Sequence, residues 1–209
     1  MSDLAAFLDR NPKQHIIFDF DQTLFTLDLP WGDYLDTTYE LLKNHNDEFY
    51  TEHSDKNATN YELLNAFVRA GMPEIRATAD EYACTFETEE LDGVTEHPEI
   101  TTFIRTNAGN YQFYIWTSNC SKGVRRVLEE NKLWQDESGK PYFQVLVSRD
   151  TVAYFKPNPD GFSQIADYAA KTAEANNQAQ PQLSEFLMVG DSNSDKGAAE
   201  AAGIDFFRV

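Results

Sequence analysis

Basic residues are scarce in this chain: 17 Lys and Arg stand against 35 Asp and Glu, a formal net charge of −18. That field opposes nucleic acid and anionic membranes as general partners. Screening at cellular salt confines it to about 8 Å, so a local cluster of cations or amides can still hold a phosphate-bearing ligand. Cysteine is nearly absent. Cys84 and Cys120 lie far apart, with neither disulfide-framework nor zinc spacing, and reduced thiols in a cytosolic protein are the expectation. The four histidines, His15, His45, His53 and His97, show no metal-ligand spacing. No stretch approaches the roughly 18 apolar residues of a membrane span. The first fourteen residues hold one short amphipathic turn around Leu4, Phe7 and Leu8, without the basic and then apolar order of a signal peptide. Internal repeats and low-complexity tracts are also missing. Together these absences predict a soluble cytoplasmic protein without a nucleic-acid or membrane partner.

What is present suffices for a full core. The chain has 209 residues, of which 41% are hydrophobic, enough for one large domain or a domain with an insert. Its most informative stretch is His15-Ile16-Ile17-Phe18-Asp19-Phe20-Asp21-Gln22-Thr23-Leu24. A β-branched apolar run bounded by polar residues reads as a buried strand, and ligands of open α/β sheets bind outside the carboxyl ends of strands. Asp19 and Asp21 fall at that end. Two acids so close repel one another unless a cation or a shared proton intervenes.

After Leu24 the pattern becomes helical, and the next convincing strand, 111–116, lies far downstream. A strand–helix–strand unit needs only about 30 residues, so roughly 60 to 70 residues are inserted. Trp31, Tyr34, Leu35, Thr38, Leu41 and Leu42 form one helical face. A second helix opens with capping-box spacing at Thr59 and Glu62 and stops at Gly71 and Pro73. A third carries Ile75, Ala79, Tyr82 and Phe86. Residues 25–94 are therefore expected to form a small helical subdomain, with 1–24 and 95–209 as the core domain. The alternative is that these helices pack directly on the sheet. From His97 onward, helices alternate with strands at 111–116, 143–147, 186–189 and 204–209. That order predicts a Rossmann-like α/β core with a parallel sheet of five or more strands.

Three more strand ends carry polar groups. The 111–116 strand runs into Thr117-Ser118-Asn119, whose hydroxyls and amides suit phosphate oxygens, although Ser and Thr before a helix are more often plain caps. Lys156-Pro157 follows the third strand, and a lysine near carboxylates can anchor both a nucleophile and a phosphate. The strand 186–189 runs into Gly190-Asp191-Ser192-Asn193-Ser194-Asp195, where two acids four apart are hard-cation ligands or, for one of them, a helix cap.

Taken in order, Asp19-Phe20-Asp21-Gln22-Thr23, Thr117-Ser118-Asn119, Lys156-Pro157 and Asp191 to Asp195 resemble the four motifs of the haloacid dehalogenase superfamily. The downstream 198–204 segment is similar to that family's last helix and turn, and the insert to its helical cap of the phosphoglycolate phosphatase and β-phosphoglucomutase type. One departure is Gln22, where many members have glycine. The resemblance implies a Mg²⁺-dependent phosphomonoester hydrolase acting on a small phosphorylated metabolite through an aspartyl-phosphate. Asp19 is then the nucleophile and Asp21 the acid and base. Thr117, Ser118, Asn119 and Lys156 hold the phosphoryl group, and Asp19, Asp191, Asp195 and the Asp21 carbonyl form the metal shell. An acid at position 21 sets the chain apart from the family's true dehalogenases. The rival expectations are a phosphomutase built on the same residues and a binding protein without turnover. Within the insert, Trp31, Tyr34, Lys43, Lys56, Arg69 and Arg76 are the residues with the chemistry to meet a substrate, though the aromatics suit a core and the cations a solvated face.

Overall fold

A computed structural model describes residues 3–54 and 58–209; Lys56 lies outside the described residues. The elements run α1 (Asp3–Arg10), β1 (His15–Phe18), β2 (Phe25–Asp28), α2 (Trp31–His45), α3 (Asp47–His53), α4 (Asn60–Arg69), α5 (Glu74–Glu89), β3 (Gly93–Glu96), α6 (Pro98–Asn107), β4 (Gln112–Trp116), α7 (Ser121–Glu130), β5 (Phe143–Val147), α8 (Asp160–Ala175), β6 (Phe186–Gly190), α9 (Asn193–Ala202) and β7 (Asp205–Arg208). The chain divides into two compact units, residues 1–27 with 94–209, and residues 28–93.

The first unit is an α/β sandwich around a five-stranded parallel sheet of order β5-β4-β1-β6-β7. β1 occupies the centre because all four of its residues are apolar or ring-bearing and all are buried, which only a strand covered on both faces permits. Its register sets His15 beside Gln112 and Phe186, and Phe18 beside Ile115 and Val189. On one face Ile17, Tyr114, Trp116 and Met188 pack with Phe162 and Ile165 of α8 and with Ala198 and Ala199 of α9. On the other, Phe18 meets Phe113 edge-on at 5.6 Å, and Phe103 of α6 lies 6.1 Å from Phe113. α8 comes so near β4 that a Cβ on Gly161 would fall 2.1 Å from Trp116 Nε1. Glycine is what lets this helix approach the strand.

The second unit is helical. α4 begins with the capping box expected at Thr59, whose hydroxyl accepts from the Glu62 amide while Glu62 accepts from the Thr59 amide. Tyr34 stacks on Tyr82 at 5.9 Å, and Phe86 lies 5.3 Å from Tyr34. The Trp31 ring meets Tyr34 edge-on at 5.7 Å. Asn60 donates to the Tyr34 hydroxyl at 3.3 Å. Both insert aromatics singled out in the sequence thus take part in the core of this unit.

Three expectations need correction. Residues 25–28 form a strand, not the start of a helix; β2 and β3 pair as a two-stranded ribbon. Its arms are only four residues each, too short to stand out from sequence. A short helix, α3, precedes the capped one; it buries no residue and so lacks an apolar stripe. Neither Cys84 nor Cys120 is a free thiol. On that point the expectation of reduced thiols fails.

Candidate active site

Four strand ends deliver the polar groups to one region. β1 ends at Phe18, so Asp19 emerges at the carboxyl edge, held by its amide to the Val189 carbonyl at 2.9 Å. β6 ends at Gly190, and a Cβ there would lie 2.6 Å from the Asp195 carboxyl carbon. Only glycine allows the acid so close to the strand. Lys156 arrives from the loop after β5, and the Lys156–Pro157 peptide is cis.

Lys156 is the hub. Its ammonium donates to Asp19 Oδ1 at 2.7 Å, to Asp195 Oδ1 at 2.5 Å and to the Trp116 carbonyl at 3.0 Å, which uses all three of its protons. Asp195 is fully buried, and its second oxygen accepts from the Ser192 hydroxyl at 2.5 Å and the Ser192 amide at 3.0 Å. The cap function and the site function therefore coincide in Asp195, which is the N3 residue of a capping box on α9. Carboxylate oxygens of Asp19, Asp191 and Asp195 all lie within 4.8 Å of one another. Three acids around one ammonium form a hard oxygen donor set with charge to spare, and that set fits a divalent cation of the Mg²⁺ type.

Electrostatics follow from burial. Desolvation pushes Asp19 well up from the ordinary carboxylate range, with Lys156 opposing and Asp195 adding to the rise. Asp21 goes up to about 6, mainly from burial and against its hydrogen bond from the Leu27 amide, with Asp191 adding to the rise. Asp191 is also raised by burial. Asp195 moves down: burial resists ionisation there, but Lys156 and Ser192 outweigh it. Burial works against the charge on Lys156 too, yet Asp19 and Asp195 carry its pKa upward, so it stays an ammonium.

The remaining sequence-predicted residues are placed as follows. Asp21 sits just past β1 in a tight turn, its carboxylate accepting from Leu27 N at 2.9 Å. Thr117 and Asn119 are buried and bonded to each other: the Thr117 hydroxyl donates to Asn119 Oδ1 at 2.9 Å and accepts from the Asn119 amide at 3.1 Å. Ser118 between them is half-buried. α7 starts only at Ser121, with Cys120 as its cap, so this triplet forms a turn before the helix and not the helix start. In the insert, Arg76 pairs with Asp80 at 2.6 Å, Lys43 reaches Asp47 at 4.0 Å on the surface, and Arg69 is exposed.

Sequence reasoning missed three contributors. The Trp116 carbonyl is invisible because any residue supplies one. Ser192 caps α9, where the sequence reading allows that role to one of the acids, and it also occupies an Asp195 oxygen. Arg208, from β7, donates to the Asp191 carbonyl and to Asn193 Oδ1, the latter at 2.8 Å, and no local pattern marks it.

A parallel α/β sheet with an acid–lysine–acid cluster at its strand ends defines a class of α/β proteins whose polar groups stand where open sheets bind their ligands. The particular family is settled by comparison. The family model of haloacid dehalogenase-like hydrolases matches residues 16–209, and the chain belongs to that family. A phosphoglycolate phosphatase of Aliivibrio fischeri is 32% identical over 114 residues, which is 54% of this chain and 43% of that protein. The matched segment thus spans less than half the length of that curated relative. Among solved structures, a Bacteroides fragilis protein bearing the name of a haloacid dehalogenase-like hydrolase aligns with a TM-score of 0.52 at 16% identity, over 93% of this chain and 86% of its own. A subfamily IA hydrolase of Geobacter sulfurreducens aligns with a TM-score of 0.47 at 20% identity, over 94% and 89%. No helix among the described residues is long and apolar enough to cross a membrane.

Proposed function

We propose that this hydrolase is a Mg²⁺-dependent phosphatase that cleaves a small phosphorylated metabolite by way of an aspartyl-phosphate on Asp19. The observation that supports it most is the Lys156 ammonium bonded at once to Asp19 and Asp195, with Asp191 alongside. That contact anchors one Asp19 oxygen beside a cation that favours the ionised carboxylate against the effect of burial, and the other oxygen is left for attack on phosphorus.

In the first step a bond forms between Asp19 and phosphorus while the bond to the leaving oxygen breaks, and Asp21 gives that oxygen its proton. An acid pushed up to about 6 is matched to this task near neutrality. In the second, Asp21 takes a proton from water as the water attacks phosphorus, and Asp19 leaves as a carboxylate. Lys156 balances the anionic charge on Asp19 and the transferring group. Thr117, Ser118 and Asn119 are assigned to the phosphoryl oxygens, for which the turn's amides are the donors. Asp19, Asp191 and the Asp21 carbonyl would hold Mg²⁺, with Asp195 direct or through water. When bound, the cation supplies charge that offsets repulsion between the acids and a phosphate. We assign residues 25–94 as a cap that sets specificity, with 1–24 and 95–209 as the catalytic core. A cytoplasmic location without nucleic-acid or membrane partners belongs to the same reading; thiol titration before and after reduction bears on it, since neither cysteine is free.

The test is phosphate release from p-nitrophenyl phosphate and from 2-phosphoglycolate, with Mg²⁺ or with EDTA, for the parent and for Asp19→Asn. Release is expected to fall on the order of 10³-fold or more with either change. Activity surviving Asp19→Asn would refute the nucleophile. Isomerised sugar phosphate without inorganic phosphate would instead show a mutase, and binding without turnover a non-catalytic protein.

A further inference from the structure

At the other end of the sheet, away from the carboxylates, is a cavity of about 530 Å³ lined by the first residues of β1 and β4, the last turns of α8 and the loop after it. The proposed phosphoryl transfer uses none of them. Two of its lining groups are buried and polar. His15 Nδ1 and the Tyr114 hydroxyl share a hydrogen bond of 2.9 Å, and the imidazole stacks on Phe186 at 4.5 Å. Both groups stay uncharged there: burial holds the imidazole below its ordinary pKa, with Glu185 opposing, and raises that of the phenol. The direction of that bond follows the tautomer: with the ring proton on Nε2 the hydroxyl donates to Nδ1, and with the proton on Nδ1 the hydroxyl accepts. Nε2 has no partner among the described residues, and His15 lines the cavity, so in either tautomer that nitrogen is available to an occupant, as a donor or as an acceptor. A phenylalanine at position 15 would satisfy the core without desolvating an imidazole. A buried polar pair that the fold does not need is a reason to look for a ligand.

The rest of the lining indicates which ligand. Gln14, Gln112, Thr172, Asn176 and Gln178 add amides and a hydroxyl, Glu185 adds a carboxylate, and no lysine or arginine contributes among the described residues. Without a cation, a phosphate would meet only a carboxylate and neutral groups. The volume falls within the range of small-molecule sites. We propose that this cavity binds a small uncharged molecule rich in hydrogen-bonding groups, as a nucleoside or a free sugar is, at a site separate from the carboxylate cluster.

The experiment follows the His15 imidazole nitrogens by NMR in the full chain while adenosine, uridine, glucose and glycerol are titrated, each beside its phosphorylated counterpart. At least one uncharged compound is expected to shift Nε2 saturably, with its phosphate ester binding this site at least about tenfold more weakly. Thr172→Phe, which fills the cavity from α8 and leaves the His15–Tyr114 pair intact, is expected to remove the shift. Asp19→Asn is expected to keep it. The proposal is overturned if none of the four uncharged compounds moves Nε2, if the phosphorylated forms move it equally, or if the response survives Thr172→Phe.

Discussion

Gln22 adopts φ +62°, a left-handed conformation in which an L side chain crowds its own carbonyl. Its amide closes the turn onto the Phe25 carbonyl at 2.6 Å, which places Asp21 for its bond from Leu27. The departure from glycine at this position therefore leaves the turn in place and adds strain. Gln22→Gly is expected to stabilise the protein by about 1 kcal/mol, the relief of strain being partly offset by the flexibility of glycine in the unfolded chain. Urea unfolding, reading the midpoint at unchanged slope, checks it. His15 supports a second prediction at this scale. Its folded-state pKa is depressed, so the folded form resists a proton that the unfolded chain accepts near its ordinary value of about 6.5. The neutral ring's contribution is complete above that pH and is lost as pH falls toward the folded pKa. Tyr114, Phe186 and Glu185 are the groups that face it, and only Glu185 resists the shift. Between pH 7 and 5 the parent should lose stability relative to His15→Phe, with a slope of at most about 1.4 kcal/mol per pH unit. Denaturant melts of both proteins across that range measure it.

Elements with a dense apolar pattern were legible in the sequence, and those without one were not. β5 has the bounds expected, 143–147, because its run is apolar and sharply bounded; β4 and β6 lie within a residue of expectation for the same reason. β3 and α3 went unread since neither buries a side chain, and β2, which buries Phe25 and Leu27 in alternation, is only four residues long. The packing of α8 on β4 was also hidden. It depends on one absent side chain at Gly161, and Gly161→Ala should place a methyl into the Trp116 indole and cost about 1 to 3 kcal/mol. A lowered midpoint in thermal or urea unfolding, with Trp116 fluorescence altered, is the expected result. An unchanged midpoint would mean that α8 can move away from the strand at no cost.

For the whole molecule, the net charge of −18 sets the response to salt. Like charges repel most in the compact state, and screening shortens from about 30 Å at 0.01 M to about 3 Å at 1 M. The thermal midpoint should rise as NaCl is added across that range, and a flat or falling midpoint in calorimetry would contradict this account. The family, the α/β alternation and the order of the acid and lysine motifs were set by sequence alone, because apolar periodicity fixes which segments are strands and a parallel sheet puts every strand's exit on one edge. Which of those polar groups meet was a matter for the tertiary structure. Lys156 reaches Asp19 across 137 positions of chain and Asp195 across 39, and no local pattern encodes a distance between residues on different strands. The same holds for His15 and Tyr114, 99 positions apart, which read as two core residues until the register of β1 on β4 brings them to one cavity. Local physics selects the elements; only the packing of the sheet decides which side chains share a site.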